Sequence, residues 1–233
     1  MKVDVLAFGA HPDDVEIGIG ATLIKLIDSG KKVAIVHLTK GDKGTYGNAE
    51  IREKEFKNFL KFTKASGEIL DFRDCEIEDN YENRLKIVDV IRKYKPEIVF
   101  APYHNNRFSH KDGTAHPDHI ATGNLVRFAL RYAKFKNIKR KEKEHLVKRL
   151  FYYMLPRDKL PNIIIDVTNY INKLEKALKI YESQIKPLDK TKNLFTVIKS
   201  FKTLHGSLIG CKFGEGFLSE EPLKVDEKIL FEI

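Results

Sequence analysis

Short apolar runs bounded by turn residues alternate with stretches of helical periodicity along most of this chain, and that rhythm restricts its possible folds more than any other feature. Val3 to Phe8 reads as a buried strand, followed by a loop and a helix to about Asp28 that Ser29-Gly30 stops. Val33 to Leu38 is expected as the second strand, and Glu50 to Thr63 as a helix with Ile51, Phe56, Phe59 and Leu60 inward. Glu68 to Phe72 reads as a short third strand, and Leu85, Val88, Ile91 and Tyr94 mark an amphipathic helix. Pro96 ends that helix, and Ile98 to Ala101 supplies the fourth strand.

Beyond a long polar loop, the spacing predicts a helix over Ile120 to Tyr132 and strands at Leu150 to Leu155 and Ile163 to Val167. One helical stripe then joins Ile171, Leu174, Leu178, Tyr181 and Ile185, and a further helix runs from about Lys192 to Leu204. The tail is Gly-rich (GSLIGCKFGEGF), then strand-like from Lys228 to Phe231. Strands alternating with helices imply an α/β fold with a mainly parallel sheet and helices on both faces. In a sheet of order 3-2-1-4-5, ligands bind beyond the carboxyl ends of strands 1 and 4, where the order reverses.

Composition narrows the class without naming a function. A chain of 233 residues with 42% hydrophobic and 32% charged positions, 14 Gly and 8 Pro is globular, neither collagen-like, disordered nor a disulfide scaffold. With no repeat, linker or composition break, one domain over residues 1–233 is expected. No apolar run approaches the roughly 18 residues of a membrane span, so no membrane association is expected. The opening MKVDVLAFGA carries Asp4 within its apolar stretch and does not read as a signal peptide. Cys75 and Cys211 stand far apart without a partner motif, which suits a reducing cytoplasm. The net charge of +9 invites nucleic acid or an acidic small molecule as partner. Its densest basic stretch, Lys134 to Arg149, lacks the aromatic interleaving of single-strand binders and reads as a solvated helix or loop. No nucleic-acid partner is expected.

The most unusual polar residues fall in the two switch-point loops, GAHPDDVEIGIGAT (9–22) and APYHNNRFSHKDGTAHPDHIATG (101–123). Four of the eight histidines, His104, His110, His116 and His119, lie in the second. A zinc-type ion wants two or three imidazoles with a carboxylate, and a catalytic site leaves one position for water. His11 and Asp14 from the first loop with one histidine from the second make such a set. Asp13 is then free as a general base toward water whose pKa the ion lowers to about 7. His116 is placed to face a substrate carbonyl as cation or donor, with Asp118 to fix its ring and keep it protonated.

Taken singly, His11 or Asp14 fits as well at a helix N-terminus, where carboxylates satisfy free amides. HPDD and HPDH together at both loops favour a site. His104 and His110 read as solvated loop residues. Gly18 and Gly20 lack the third glycine of a dinucleotide fingerprint, and strand 2 ends in His37 rather than an acid, so they read as close helix–sheet packing. GDKGT (41–45) is not a phosphate-binding P-loop, and no G-x-S-x-G elbow occurs.

At these residues the chain resembles the LmbE/PIG-L family of metal-dependent N-deacetylases acting on N-acetylglucosamine derivatives. Within it the chain is most similar to the bacillithiol-pathway deacetylases of N-acetylglucosaminyl-malate. DVLAFGAHPDDVEIGIGATL (4–23), GDKGTYGNAEIREKE (41–55) and AHPDHIATG (115–123) carry the resemblance, with IGCKFGEGF (209–217) as a weaker subgroup signature. The resemblance implies a Rossmann-like, doubly wound fold, a small-molecule sugar substrate and a homo-oligomer, commonly a hexamer. It implies His11, Asp14 and His119 as ligands of Zn2+ or another divalent metal, and Asp13 as the base that also protonates the leaving amine. His116, oriented by Asp118, would stabilise the oxyanion, and Arg52 would contact substrate. Thr114-Ala115, within a longer loop (105–115), stand where the subgroup has Asp-Arg, beside the position of the sugar's aglycone. The competing expectations are hydrolysis of another N-acyl substrate, nucleotide binding on the same fold, and charge-driven nucleic-acid binding.

Overall fold

β1 (Val5–Gly9) and β2 (Val33–His37) are buried at every position, which is why both read as unbroken apolar runs. The computed structural model describes residues 2–107 and 112–224. After β1 comes α1 (Asp14–Asp28), and after β2 come α2 (Ala49–Thr63), β3 (Ser66–Ile69), α3 (Tyr81–Tyr94) and β4 (Ile98–Pro102). A 3-10 turn (Gly113–Ala115) precedes α4 (Pro117–Ala133), which leads to β5 (Arg149–Tyr153) and β6 (Ile163–Asp166). The rest is helical, α5 (Ile171–Leu178), α6 (Glu182–Lys192) and α7 (Leu194–Ser207), until β7 (Gly214–Phe217).

Five strands form one sheet in the order β3-β2-β1-β4-β5, every neighbouring pair parallel. The expected α/β architecture and strand order are both observed. Alternate residues of β1 feed opposite faces, as the two-residue period of a strand requires. Leu6 and Phe8 join a core with Val88, Ile91 and Leu125 from α3 and α4. Val5 and Ala7 join the other with Ile19, Leu23, Phe56 and Leu174 from α1, α2 and α5. Ala7 pairs with Ile35 on one side and Phe100 on the other, so the order reverses beside β1.

The expected close packing at Gly18 and Gly20 is visible in the geometry. A Cβ on Gly18 would stand 2.5 Å from the Tyr153 ring, and one on Gly20 would stand 2.7 Å from Leu174. Tyr153 cannot retreat easily, because it is 1% exposed and its hydroxyl donates to the Phe8 carbonyl at 2.8 Å. Gly18→Ala is therefore expected to cost about 1–3 kcal/mol, the usual penalty of overpacking. That is a fall in Tm of roughly 2–4 °C per kcal/mol for a chain of this size. An unchanged thermal unfolding curve would argue against the packing role.

Several boundaries differ from expectation. The apolar stripe from Ile171 to Ile185 is buried throughout, but its helix breaks between α5 and α6. At the break Tyr181 turns inward, and its hydroxyl donates to Glu16 at 2.7 Å. β3 starts two residues early, at Ser66, because it pairs with β2 from Ala34 to His37. The Gly-rich tail contains a strand that propensity does not announce: β7 pairs antiparallel with β6 as a separate two-stranded sheet. The strand expected at Lys228 to Phe231 lies outside the described residues, as does His110.

Two buried cations tie distant segments together. Arg92 is 2% exposed and donates to the carbonyls of Ala133, Phe135, Ile138 and Glu142. The basic stretch is thus mainly a loop wrapped on this guanidinium, with Arg140 paired to Asp89 and Lys148 to Glu97. Lys202 pairs with Glu215 of β7, and both are buried. The Glu215 carboxylate also accepts the amide N–H groups of Ala21 and Thr22, at 3.2 and 2.7 Å, in the middle of α1. Among the described residues, no helix is long and apolar enough to cross a membrane.

Candidate active site

The chain leaves β1 at Gly9 and β4 at Pro102, two neighbouring parallel strands, and both following segments end in a helix N-terminus on the same side of the sheet. Asp13 is the N-cap of α1 and Asp14 its first residue. His116 is the N-cap of α4, and α4 starts at Pro117, three residues before the expected Ile120. Proline's fixed φ suits the first helical position. Asp118 and His119 are consequently held in the first turn of a helix rather than in a loop.

These segments bring His11, His116 and His119 together, with ring centroids 5.1–5.4 Å apart. His11 Nδ1 lies 3.5 Å from Asp14 Oδ2, and His119 Nε2 lies 3.0 Å from Asp14 Oδ1. One ligand atom from each of His11, Asp14 and His119 falls within 4.8 Å of the others, a spacing suited to a single shared ion. Charge points the same way. Asp13, Asp14, Asp74 and Asp118 crowd the site, faced by the Arg52 guanidinium and the His11, His116 and His119 rings. Burial by itself lowers the His11 pKa, but Asp14, Asp118 and Asp74 outweigh it and push it up to about 12. Burial likewise raises Asp14, yet His119 and His11 hold it well below the usual carboxylate range. A divalent cation would answer these carboxylates more fully than one imidazolium. Among the described residues, the buried Nδ1 of His119 has no hydrogen-bond partner and Asp14 alone engages that ring through hydrogen bonding. The donor set fits the expected metal.

Asp13 stands outside this ligand set. Its backbone has φ 112°, a left-handed conformation that costs energy in a non-glycine residue and is characteristic of functional sites. Burial pushes its pKa up to about 7, with Arg52 opposing and Asp14 reinforcing the shift. Arg52, expected as a substrate contact, turns toward the loop that carries Asp13. It is 4% exposed and donates to the carbonyls of Gly41 and Pro12, each at 2.6 Å, with Asp13 Oδ1 at 3.4 Å. The guanidinium braces the loop that carries Asp13. Gly41, at φ 65°, makes room for it: a Cβ there would lie 2.3 Å from Arg52 Nη1.

His116 and Asp118 are adjacent as expected but are linked differently. His116 Nδ1 accepts the backbone N–H of Asp118 at 3.2 Å, an N-cap interaction, whereas the Asp118 carboxylate turns to His11 Nε2 at 3.2 Å and the Cys75 amide at 2.8 Å. Burial, His119 and His11 lower the His116 pKa against the pull of Asp118 and Asp14. Residue 118 therefore meets His116 through its amide, while its carboxylate pulls the His116 pKa upward from a distance. With Nδ1 accepting, the proton of the neutral ring belongs on Nε2, which leaves His116 a donor.

Asp74 escaped the sequence reading. It follows β3 on the same side of the sheet, with Oδ1 3.0 Å from His11 Nε2 and Oδ2 accepting the Lys43 amide at 2.7 Å. Its only signal is position, since RDCEIED carries no metal spacing. His104 is also corrected. It is packed against Tyr103 and Tyr152 with Nε2 2.9 Å from Glu220, not solvated. Cys75 and Cys211 are both free thiols.

At the switch point of this doubly wound sheet the buried polar groups are spaced to hold one ion and, among the described residues, form no pyrophosphate cradle, which sets the site apart from dinucleotide binding. The chain belongs to the PIG-L family, described as GlcNAc-PI de-N-acetylase, whose pattern matches residues 6–130. That span contains both HPDD and HPDH. Diacetylchitobiose deacetylase of Thermococcus kodakarensis is 31% identical over 225 residues, covering 91% of this chain and 81% of that protein. The crystal structure of the conserved protein TT1542 from Thermus thermophilus superimposes with a TM-score of 0.84 at 29% identity, over 97% of this chain and 98% of that one. N,N'-diacetylchitobiose deacetylase from Pyrococcus horikoshii, solved with its inhibitor MPG, gives 0.81 at 28% identity, over 92% and 82%.

Proposed function

We propose that this protein is a zinc-dependent N-deacetylase that hydrolyses the acetamide of an N-acetylglucosamine derivative to acetate and a free amine. The observation that carries the reading is the convergence of His11, Asp14 and His119 beside a half-buried Asp13 outside that set, in a chain of a deacetylase family. Zn2+ held by those three residues would supply a Lewis acid for the acetamide carbonyl and acidify water.

The remaining chemistry falls to the chain's own groups. Asp13 accepts the proton of the attacking water, a task suited to a carboxylate whose pKa burial has moved toward neutrality. His116 donates its Nε2–H to the oxygen on which charge develops as the carbonyl carbon becomes tetrahedral. Asp13 then returns its proton to the departing nitrogen, the C–N bond breaks, and acetate and amine leave. Arg52 and the Pro12 carbonyl keep Asp13 in place throughout.

Two glycans suit the reading, N-acetylglucosaminyl-malate from the resemblance in the C-terminal segment and N,N'-diacetylchitobiose from the named relatives. The test is acetate release from N-acetylglucosamine and from both derivatives, after chelation and again after zinc is returned. Release abolished by the chelator and restored by zinc is expected, and the ratio of rates identifies the aglycone. Tightly bound metal with no release from any of the three would overturn the substrate class.

A further inference from the structure

Beneath Asp13 lies a buried polar cluster that the chemistry above does not use. Glu16, in the first turn of α1, is fully buried, and its carboxylate has three donors from three parts of the chain. Oε2 accepts the backbone N–H of Asp13 at 3.1 Å. Oε1 accepts the Tyr181 hydroxyl at 2.7 Å and lies 3.1 Å from His37 Nε2. His37 is likewise fully buried, and its Nδ1 has no hydrogen-bond partner among the described residues, so the ring proton belongs on Nε2, facing Glu16. Burial and the nearby Glu16 charge raise the Tyr181 pKa well above its ordinary value, so its hydroxyl remains a donor. His37 ends β2 and Tyr181 sits at the break between α5 and α6. The carboxylate is thus fixed from outside its own helix.

We infer that Glu16 is a positioning residue for the base: its carboxylate, clamped by Tyr181 and His37, holds the Asp13 amide and so keeps that backbone at φ 112°, the conformation in which the Asp13 carboxylate stands 3.4 Å from Arg52. A left-handed non-glycine residue persists only where its surroundings over-determine it. Here the carbonyl of Pro12 is tied to Arg52 and the amide of Asp13 to Glu16, so the peptide unit leading into Asp13 is gripped from both ends. Released from Glu16, that unit can relax to an ordinary conformation and carry the carboxylate away. The inference rests on Asp13 acting as the base, and it adds a residue that touches neither metal nor substrate.

The test compares Glu16→Ala, Glu16→Gln and Tyr181→Phe, each measured for kcat, KM and bound zinc. A displacement of about 1 Å at a reacting group costs on the order of 100-fold. Glu16→Ala is expected to lose kcat by about that factor, with KM and zinc content unchanged. Glu16→Gln still accepts the Asp13 amide and is expected to recover to within about tenfold of the parent. A purely structural role would instead lower zinc content or raise KM together with a fall in kcat. Wild-type kcat in Glu16→Ala, or equal loss in the Ala and Gln variants, overturns the inference. If Glu16→Ala does not fold, Tyr181→Phe decides: kcat reduced several-fold at constant KM supports the clamp, and an unchanged kcat overturns it. Asp13→Asn run alongside separates the two claims, because full activity there removes the base itself whatever the Glu16 variants do.

Discussion

Asp13→Asn is expected to lower kcat by roughly 10²–10⁴-fold, the usual contribution of a positioned general base. The substitution is close to silent for everything else. Asn is among the few side chains that tolerate a left-handed backbone, so φ 112° is retained. Its carbonyl oxygen still faces Arg52, which donates to Oδ1 of the native residue at 3.4 Å. Because Asp13 is outside the set formed by His11, Asp14 and His119, zinc content is expected to match the parent. Turnover close to the parent rate would remove Asp13 from the chemistry and leave its strained backbone without a purpose.

The second large effect is expected at His119. His119→Ala takes away one of two imidazoles in the ligand set, from the first turn of α4. Loss of an outer-shell partner alone costs a metal site roughly 10- to 100-fold in affinity. Loss of a ligand is therefore expected to weaken binding by at least about 100-fold, so that purified protein carries little zinc and releases no measurable acetate. Metal analysis of the purified variant checks this directly. A normal metal content would sink the assignment, whatever the activity. Together the two variants separate a protein that holds its ion without a base from one that keeps its base without an ion.

Much of this site was readable before any coordinates. His11, Asp14 and His119 stand together because two short motifs sit at the carboxyl ends of neighbouring parallel strands; hydrophobic rhythm announces the strands, and the observed pairing of β1 with β4 makes them neighbours. What escaped has a common physical cause. Asp74 reaches His11 from a loop with no motif, so only the paired register of β2 and β3 brings it there. The bracing of two backbone carbonyls by Arg52 had no signal either, because a helical pattern cannot reveal which groups will claim a guanidinium. Asp118 was assigned to its nearest sequence neighbour, yet its carboxylate bonds across the sheet to His11 and Cys75, 107 and 43 residues away. Long-range polar contacts leave no period in a sequence. β7 was missed for the opposite reason: Gly214 and Gly216 carry no strand signal, and their smallness admits neighbours a Cβ would meet at 2.7–2.8 Å.

The contact between Glu215 and the middle of α1 also has a history in time. Glu215 follows Ala21 by 194 residues. At about 5–20 residues per second, the ribosome needs roughly 10–40 s to deliver it after Ala21 has emerged. Throughout that interval the helix bearing both aspartates of the first motif lacks the carboxylate that answers two of its amides. Chain elongation thus supplies this helix before the anchor that completes it, and β7 arrives after the five-stranded sheet and the helices that carry the site.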